Sequence, residues 1–169
     1  MLLLLLSFRL AAAEMPLAWD NRSIVRSNEN GITVRPAGEG AAIVEFRTGE
    51  PWPHIVLKPK NGASWDLSRF REISFDVENL SRNRQCEIEF NAGMWSGGYL
   101  GTAILRPGEK RTFRYRLNHG TGAGFSPLFQ ASFMPQGFAG GRNVDTSKLK
   151  TLQLISSFPL YCKYRLSNI

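Results

Sequence analysis

The stretch that decides the fold is Trp65-Asp66-Leu67-Ser68-Arg69-Phe70-Arg71-Glu72-Ile73-Ser74-Phe75-Asp76-Val77-Glu78-Asn79. It begins with the composition of a turn and continues as a strict two-residue alternation. The apolar positions are Ile73, Phe75 and Val77, and the polar positions between them are Ser74, Asp76 and Glu78. Such a period is typical of a β-strand that covers a core with one face and meets water with the other.

Short segments of the same kind recur along the chain, separated by Gly, Pro, Asn and Ser, which is typical of all-β proteins. The predicted strands are residues 24–26, 32–35, 42–47, 54–57, 72–78, 86–90, 102–105, 112–117, 152–156 and 160–166. Single helical turns are predicted over 67–71 and 146–149, capped by Ser68 or Asp145. The 169 residues are enough for one domain with its own core. We therefore predict a single antiparallel β-sandwich.

Two further motifs accompany the opening stretch. Leu105-Arg106-Pro107-Gly108-Glu109-Lys110-Arg111-Thr112 leads from one strand into another, and Met134-Pro135-x-Gly137 precedes Asp145-x-Ser147-x-Leu149. With the W-D-L-S turn, they make residues 51–159 resemble the non-catalytic jelly-roll modules at the N-termini of agarases and related secreted glycoside hydrolases. The resemblance implies a galactose-binding-like jelly roll that binds polysaccharide, with a catalytic domain on its C-terminal side. A structural calcium ion is implied only by analogy with this fold; no other cofactor is expected.

Residues 1–13 have the features of an export signal, which is removed from the mature protein. Leu2 to Leu6 and Leu10 form a short apolar run, and Ala11-Ala12-Ala13 supplies the small residues of a cleavage site. The positively charged region that normally precedes the run is missing, so the signal is incomplete, and the run is too short to span a bilayer. The predicted domain is thus 14–169, secreted or periplasmic, with no membrane partner.

The two cysteines, Cys86 and Cys162, are both in phase with apolar neighbours, so both are predicted to point inward. Export would permit a disulfide between them, and two buried thiols are the equal alternative. A zinc site is not expected, because there is no CxxC pair and the two histidines, His54 and His119, stand apart.

The formal net charge is +7, and the sequence pI is near 9.8. Because the arginines are scattered along alternating strands rather than gathered in one patch, nucleic acid is not the expected partner. A sulfated or uronic-acid polysaccharide fits the charge better.

No catalytic residues are predicted. Glu87 and Glu89 are close in sequence, but they share the polar face of one predicted strand, whereas a glycosidase needs carboxylates on both sides of the scissile bond. There is no Gly-x-Ser-x-Gly motif, reactive-cysteine signature or metal-ligand spacing. A lyase or hydrolase on a jelly roll is therefore a minor alternative.

Sugar binding requires aromatic faces for C–H groups and polar side chains for hydroxyl groups. Trp95 and Tyr99 occur in a glycine-rich loop predicted over 91–101, where Asn91 and also Arg142 could supply hydrogen bonds. Trp52 and His54, just before and at the start of a strand, are the second candidate pair. In each case the alternative is structural, because a loop tryptophan often plugs the end of a small core. Trp65, Asp66 and Ser68 are predicted to be packing and turn residues.

The predicted function is thus a non-catalytic carbohydrate-binding or accessory module, with a galactan-type or anionic polysaccharide as ligand. The rival interpretation is a purely structural domain that buttresses a catalytic barrel. A binder should expose its aromatic residues in a concave surface, and a buttress should expose a broad apolar patch instead.

Overall fold

A computed structural model describes residues 24–26, 31–38, 40–47, 49, 53–60, 62–93, 99–118, 124–127, 144–156 and 161–168. These residues form eleven strands and no helix. In chain order the strands are β1 Ile24–Arg26, β2 Ile32–Pro36, β3 Ala41–Phe46, β4 His54–Leu57, β5 Glu72–Asn79, β6 Cys86–Ala92, β7 Tyr99–Leu105, β8 Lys110–Asn118, β9 Gly124–Pro127, β10 Leu152–Ile155 and β11 Cys162–Ser167.

The strands build two sheets in which every recorded pairing is antiparallel. One sheet has five strands in the order β1-β4-β10-β6-β7, and the other has six in the order β2-β3-β11-β5-β8-β9. The chain passes repeatedly from one sheet to the other, so strands that are neighbours in a sheet are often distant in sequence. The predicted antiparallel β-sandwich of jelly-roll type is confirmed.

The core lies between the two sheets and is built from the inward residue of each alternating pair. In β6 the buried positions are Cys86, Ile88, Phe90 and Ala92. Phe75 of β5 forms an aromatic cluster with residues of both sheets. Its ring centroid is 4.8 Å from that of Phe90 and 5.6 Å from that of Phe113. Since aromatic rings bury large apolar areas, this cluster fixes the two sheets against each other.

Nine of the ten predicted strands agree with the structure within two residues at each end, and 102–105 is the exception. Two regions predicted as loops are partly strand. β6 continues to Ala92 and β7 begins at Tyr99, so the predicted loop over 91–101 is shorter than expected. Strand β9 was missed, because Gly124 and Pro127 are residue types that are depleted in strands. Proline is tolerated there since β9 is an edge strand, where one row of backbone groups needs no partner.

The two predicted helical turns are instead single tight turns. The Phe70 N–H donates to Leu67 O at 3.0 Å, and the Lys148 N–H donates to Asp145 O at 3.1 Å. Segments of four or five residues are too short to propagate an α-helix, and each turn is held by an aspartate. Asp66 Oδ1 accepts from the Ser68 N–H and Asp145 Oδ1 from the Ser147 N–H, both at 2.9 Å.

Two of the motifs that suggested the family resemblance meet in space. Trp65 and Leu149 exchange backbone hydrogen bonds of 2.8 and 3.1 Å in an isolated bridge, and the Leu67 N–H donates to Thr146 O at 2.8 Å. The bridge joins the segment leading into β5 to the segment leading into β10, which belong to different sheets. Trp65 is 6% exposed and packs in the core, so its predicted structural role is confirmed.

Cys86 and Cys162 are both buried and both free thiols. The prediction that they point inward is confirmed.

Candidate functional site

The outer side of the five-stranded sheet carries the candidate site, and β6 supplies its polar groups. Because side chains alternate along a strand, Glu87, Glu89 and Asn91 point away from the core while their neighbours are buried in it. All three are partly exposed. They therefore form a short row of two carboxylates and one amide that is partly exposed to solvent.

Strand β7 extends this row sideways. Ile104 is the cross-strand partner of Glu87, Thr102 of Glu89, and Tyr99 of Asn91, with a register shift between Phe90 and Asn91. The β6–β7 face is defined here as Glu87, Glu89, Asn91, Thr102 and Ile104. Ile104 is 45% exposed and is the large hydrophobic side chain that stands out to solvent among the described residues. The face thus combines hydrogen-bonding groups with one apolar contact point.

The electrostatics of the face centre on Glu89 and Asn91. Asn91 Nδ2 donates a 3.2 Å hydrogen bond to Glu89 Oε1, while Asn91 Oδ1 is buried without a partner. Burial raises the pKa of the Glu89 carboxyl; the hydrogen bond from Asn91 opposes this rise, and the nearby Glu87 charge adds to it. The pair therefore places an amide beside a partly desolvated carboxylate.

Gln153 lies beside Asn91 on β10, with Val56 of β4 as its partner on the other side. It is only 1% exposed, and both atoms of its side-chain amide lack a hydrogen-bond partner. A buried amide without a hydrogen-bond partner lowers the stability of the fold, so a polar side chain at this position calls for an explanation. Val56 and Ile155, on the same outer side, are also buried. The outer side of β4 and β10 is therefore buried at these positions, whereas the β6–β7 face is accessible to solvent.

The structure brings together some of the predicted site residues. Asn91 and Tyr99 are cross-strand partners, and His54 pairs with Ile155, which in turn pairs with Glu89. Asn91 and Tyr99 are in strands rather than in the predicted loop, because the ladder of β6 and β7 continues past the register shift. Trp52, Trp95 and Arg142 lie outside the described residues.

Five residues of this region were not predicted as binding residues from the sequence: Glu87, Glu89, Thr102, Ile104 and Gln153. Glu87 and Glu89 were predicted only as the polar face of their strand. Thr102 and Ile104 could have been found, because they are out of phase with the buried Ala103 and Leu105. Gln153 is likewise out of phase with the buried Leu152 and Leu154, but the alternation does not show that both sides of its strand are buried.

The outer side of the six-stranded sheet is different, because several of its charges are paired. The ion pairs are Arg114 Nε to Glu72 Oε1 at 2.6 Å, Lys110 Nζ to Asp76 Oδ2 at 2.8 Å, Arg165 Nη1 to Glu78 Oε2 at 3.3 Å and Lys163 Nζ to Glu45 Oε2 at 3.6 Å. Burial acts to raise the pKa of Asp76, but hydrogen bonds from Lys110, Thr112 and Asn168 outweigh it and lower this pKa. Much of the basic charge on this side is therefore neutralised locally.

The described residues offer little for other classes of site. No three His, Cys, Asp or Glu side chains in that part of the chain are grouped as metal ligands. Within the same ranges, no helix has the length and apolarity needed to cross a membrane. Glu87 and Glu89 belong to one strand and point the same way, so they do not face each other across a cleft as glycosidase carboxylates do.

Comparisons with known proteins support the fold. No protein-family model and no curated protein sequence matches the chain. Among solved structures, an agarase, AgWH50C, matches with a TM-score of 0.65 and 18% identity over 88% of this chain. An exo-beta-agarase matches with a TM-score of 0.62 and 13% identity over 87% of this chain. Each match covers 22% of the agarase chain, so the present chain spans about a fifth of those enzymes.

A weaker match is a family 11 carbohydrate-binding module from Clostridium thermocellum in complex with a β-1,3-1,4-mixed-linked tetrasaccharide. It has a TM-score of 0.49 and 12% identity over 86% of this chain and 84% of the module, a likeness too low to bear on function. At the identities of the agarase matches, the similarity establishes a shared fold. The predicted resemblance to a sandwich found in agarases is confirmed at that level.

Proposed function

We propose that the chain is a non-catalytic polysaccharide-binding module and that the β6–β7 face contacts the sugar. The observation that carries the proposal is the row of Glu87, Glu89 and Asn91 beside the exposed Ile104, on a sandwich whose fold recurs in agarases. Carboxylate and amide groups hydrogen-bond sugar hydroxyls, and an exposed apolar side chain can contact the C–H side of a pyranose.

Asn91 is the central residue in this proposal. Its partly exposed side chain donates to Glu89 Oε1, so a sugar hydroxyl at this point would meet an amide and a carboxylate together. We further propose Tyr99 and Trp95 as stacking residues, with Trp52, His54 and Arg142 as additional contacts. Tyr99 has its backbone beside Asn91, and one strand, β10, lies between His54 and the face.

The charges favour a neutral polysaccharide, such as a neutral galactan, over an anionic one. The described outer-face positions of β6 and β7 hold two carboxylates and no lysine or arginine. Sulfate or uronate groups would be repelled by these carboxylates. The positive charge that suggested an anionic ligand lies in part on the six-stranded sheet, where four cations are ion-paired.

Affinity electrophoresis tests the proposal. Native gels containing agarose, a carrageenan or a soluble β-glucan should retard the wild-type protein in at least one neutral polysaccharide. Asn91→Ala should weaken this retardation about fivefold, the equivalent of about 1 kcal/mol from one hydrogen bond. Thr33→Ala is the matched control, because Thr33 is an exposed strand residue on the six-stranded sheet. The proposal fails if no polysaccharide retards the protein.

A parallel variant examines the stacking residues. Trp95→Ala should abolish retardation and leave the thermal midpoint nearly unchanged. If Trp95 packs in the core instead, the substitution should cost about 3–5 kcal/mol of stability, and the protein should melt early with or without sugar. Retardation that survives Trp95→Ala but disappears at moderate salt and in Arg114→Ala would assign binding to charge on the other sheet.

A second candidate is an accessory or buttressing domain of a larger glycoside hydrolase. It is favoured by the agarase matches, in which this fold occupies 22% of a longer chain. The genomic DNA downstream of the codon for Ile169 tests it: an open frame encoding a barrel enzyme would support an accessory role, and a stop codon followed by an unrelated gene would count against it.

We also propose export, with residues 1–13 as the signal and 14–169 as the mature domain. Expression with an intact upstream signal should give protein outside the cytoplasm whose N-terminal sequence begins near Glu14. An unprocessed cytoplasmic product would contradict this proposal.

A further inference from the structure

The two cysteines of the chain lie on different sheets. Cys86 is the first residue of β6 in the five-stranded sheet, and Cys162 is the first residue of β11 in the six-stranded sheet. They are 0% and 2% exposed, respectively. Since the chain contains only these two cysteines, a bond between them would be a single covalent link across the sandwich.

The two thiols are close neighbours: Cys86 Sγ lies 3.8 Å from the backbone oxygen of Lys163, the residue after Cys162, and interaction between the two thiols shifts the pKa of each. The Leu80 N–H donates to the same oxygen at 2.8 Å, so the connection between β5 and β6 is fastened to β11. A disulfide requires two Cα atoms at about 4.4–6.8 Å with their side chains turned toward each other. The 3.8 Å approach of Cys86 Sγ to the residue after Cys162 brings the two buried side chains into the same part of the core.

We propose that Cys86 and Cys162 form a disulfide joining the two sheets when the protein folds in the presence of a small-molecule disulfide such as oxidised glutathione. The Cys86 thiolate attacks one sulfur of glutathione disulfide, which gives a mixed disulfide and releases one reduced glutathione. The Cys162 thiolate then attacks the Cys86 sulfur and releases the second glutathione. Two protein thiols are oxidised, one glutathione disulfide is reduced, and the two thiol protons end on the two glutathione molecules.

In the closed sandwich, interaction between the two thiols shifts their pKa values in opposite directions. The hydrogen bond from Cys162, with a further contribution from Ser81, lowers the pKa of Cys86 to about 7 despite burial. The hydrogen bond to Cys86 together with burial raises the pKa of Cys162. Asn79 Oδ1 accepts from Cys86 Sγ at 3.2 Å, which favours the protonated thiol in the closed sandwich. Because both sulfurs are buried in the folded protein, glutathione must reach them during folding, before the two sheets close over them.

The expected consequence is a large gain in stability. About 75 residues separate the two cysteines, and closing a loop of that size restricts the unfolded chain strongly. For a domain of this length, the gain corresponds to a rise of roughly 5–15 °C in thermal midpoint.

The test is oxidative refolding of the full chain. Protein unfolded in guanidinium chloride with dithiothreitol is transferred to refolding buffer containing either reduced glutathione alone or a mixture with oxidised glutathione. Remaining thiols are then alkylated in denaturant, and the intact mass is measured. We expect the oxidised sample to be a monomer without alkyl groups, lighter than the reduced protein by two hydrogen atoms, and to melt at the higher temperature.

The double variant Cys86→Ala, Cys162→Ala is the matched control, and its thermal midpoint should be the same in both buffers. The single variant Cys162→Ala should instead retain glutathione on Cys86. Two alkylated thiols after oxidative refolding of the wild type would overturn the proposal. So would a disulfide-linked dimer, or persistent glutathione on both cysteines. These measurements on the wild type decide the question even if an alanine variant does not fold.

Discussion

Asn79, at the end of β5, holds several segments together through one buried side chain. Its Nδ2 lies 2.9 Å from Arg84 O, 2.9 Å from Leu105 O and 3.1 Å from Arg106 O, and its Oδ1 accepts from the Ser81 N–H at 2.8 Å. A buried amide with such partners rigidifies its surroundings. In the sequence Asn79 looked like the polar end of a strand, because its partners lie in a turn and a strand that only the fold brings close.

Glu89 provides a prediction at the scale of one residue. Burial raises its folded-state pKa above the unfolded value, so the folded protein binds more protons at this site, and its contribution to stability falls as the pH rises through these two values. Glu89→Gln keeps an acceptor for Asn91 and removes the charge. The variant should therefore melt at a higher temperature than the wild type at neutral pH, and at the same temperature near pH 3.

Thermal melts across this pH range, followed by circular dichroism, provide the measurement. Glu78→Gln is the matched control, because Glu78 is ion-paired with Arg165 on the opposite face and its charge should not destabilise the fold. A Glu89→Gln protein that is less stable than wild type at neutral pH would show that the carboxylate is stabilising and that burial is not its dominant influence.

At the scale of the element, the turn between β7 and β8 follows directly from its sequence. Pro107 and Gly108 occupy its central positions, the Glu109 N–H donates to Arg106 O at 3.0 Å, and Gly108 has a φ of 72°. A type II turn requires a positive φ at this position, which glycine adopts without steric cost. The Arg106 N–H also donates to Glu109 Oε2 at 2.8 Å, and this bond is the first cause of the lowered pKa of Glu109.

Gly108→Ala should accordingly destabilise the protein by about 1–2 kcal/mol, measured by urea unfolding, because an alanine Cβ disfavours the left-handed conformation. No atom lies within 4 Å of the position a Cβ would take, so the cost is conformational rather than steric crowding by neighbours. Gly108→Asn should cost less, since asparagine tolerates this region. Equal costs for the two variants would indicate that backbone conformation is not the cause.

Strands determined by their own sequence pattern were predicted better than strands determined by pairing with a distant segment. β5 was predicted to within one residue, because the alternation of Ile73, Phe75 and Val77 reports directly on one buried face. The extension of β7 back to Tyr99 was missed, since Gly101 within a strand looks like a breaker when its cross-strand partner Phe90 is not known. Tertiary pairing overrode local preference there.

For the whole molecule, the sequence allowed prediction of the class of fold, but not the distribution of charge. The arginines looked evenly scattered along the chain. In the fold, Arg114 and Arg165 stand on the outer side of the six-stranded sheet, and Glu87 and Glu89 on that of the five-stranded sheet. This separation of charge depends on which strands share a sheet. It is the reason why we propose a neutral ligand, although the net charge had suggested an anionic one.

Binding of a neutral polysaccharide at the β6–β7 face can be observed residue by residue in a nuclear magnetic resonance titration. Isotope-labelled protein is titrated with neutral galactan oligosaccharides while backbone and side-chain amide signals are followed. The largest shifts are expected at Asn91, Thr102 and Ile104, including the side-chain amide of Asn91, and the signals of Thr112 and Ser167 on the six-stranded sheet should not move. Shifts confined to the six-stranded sheet, or none with any oligosaccharide, would show that the sugar does not bind at this face.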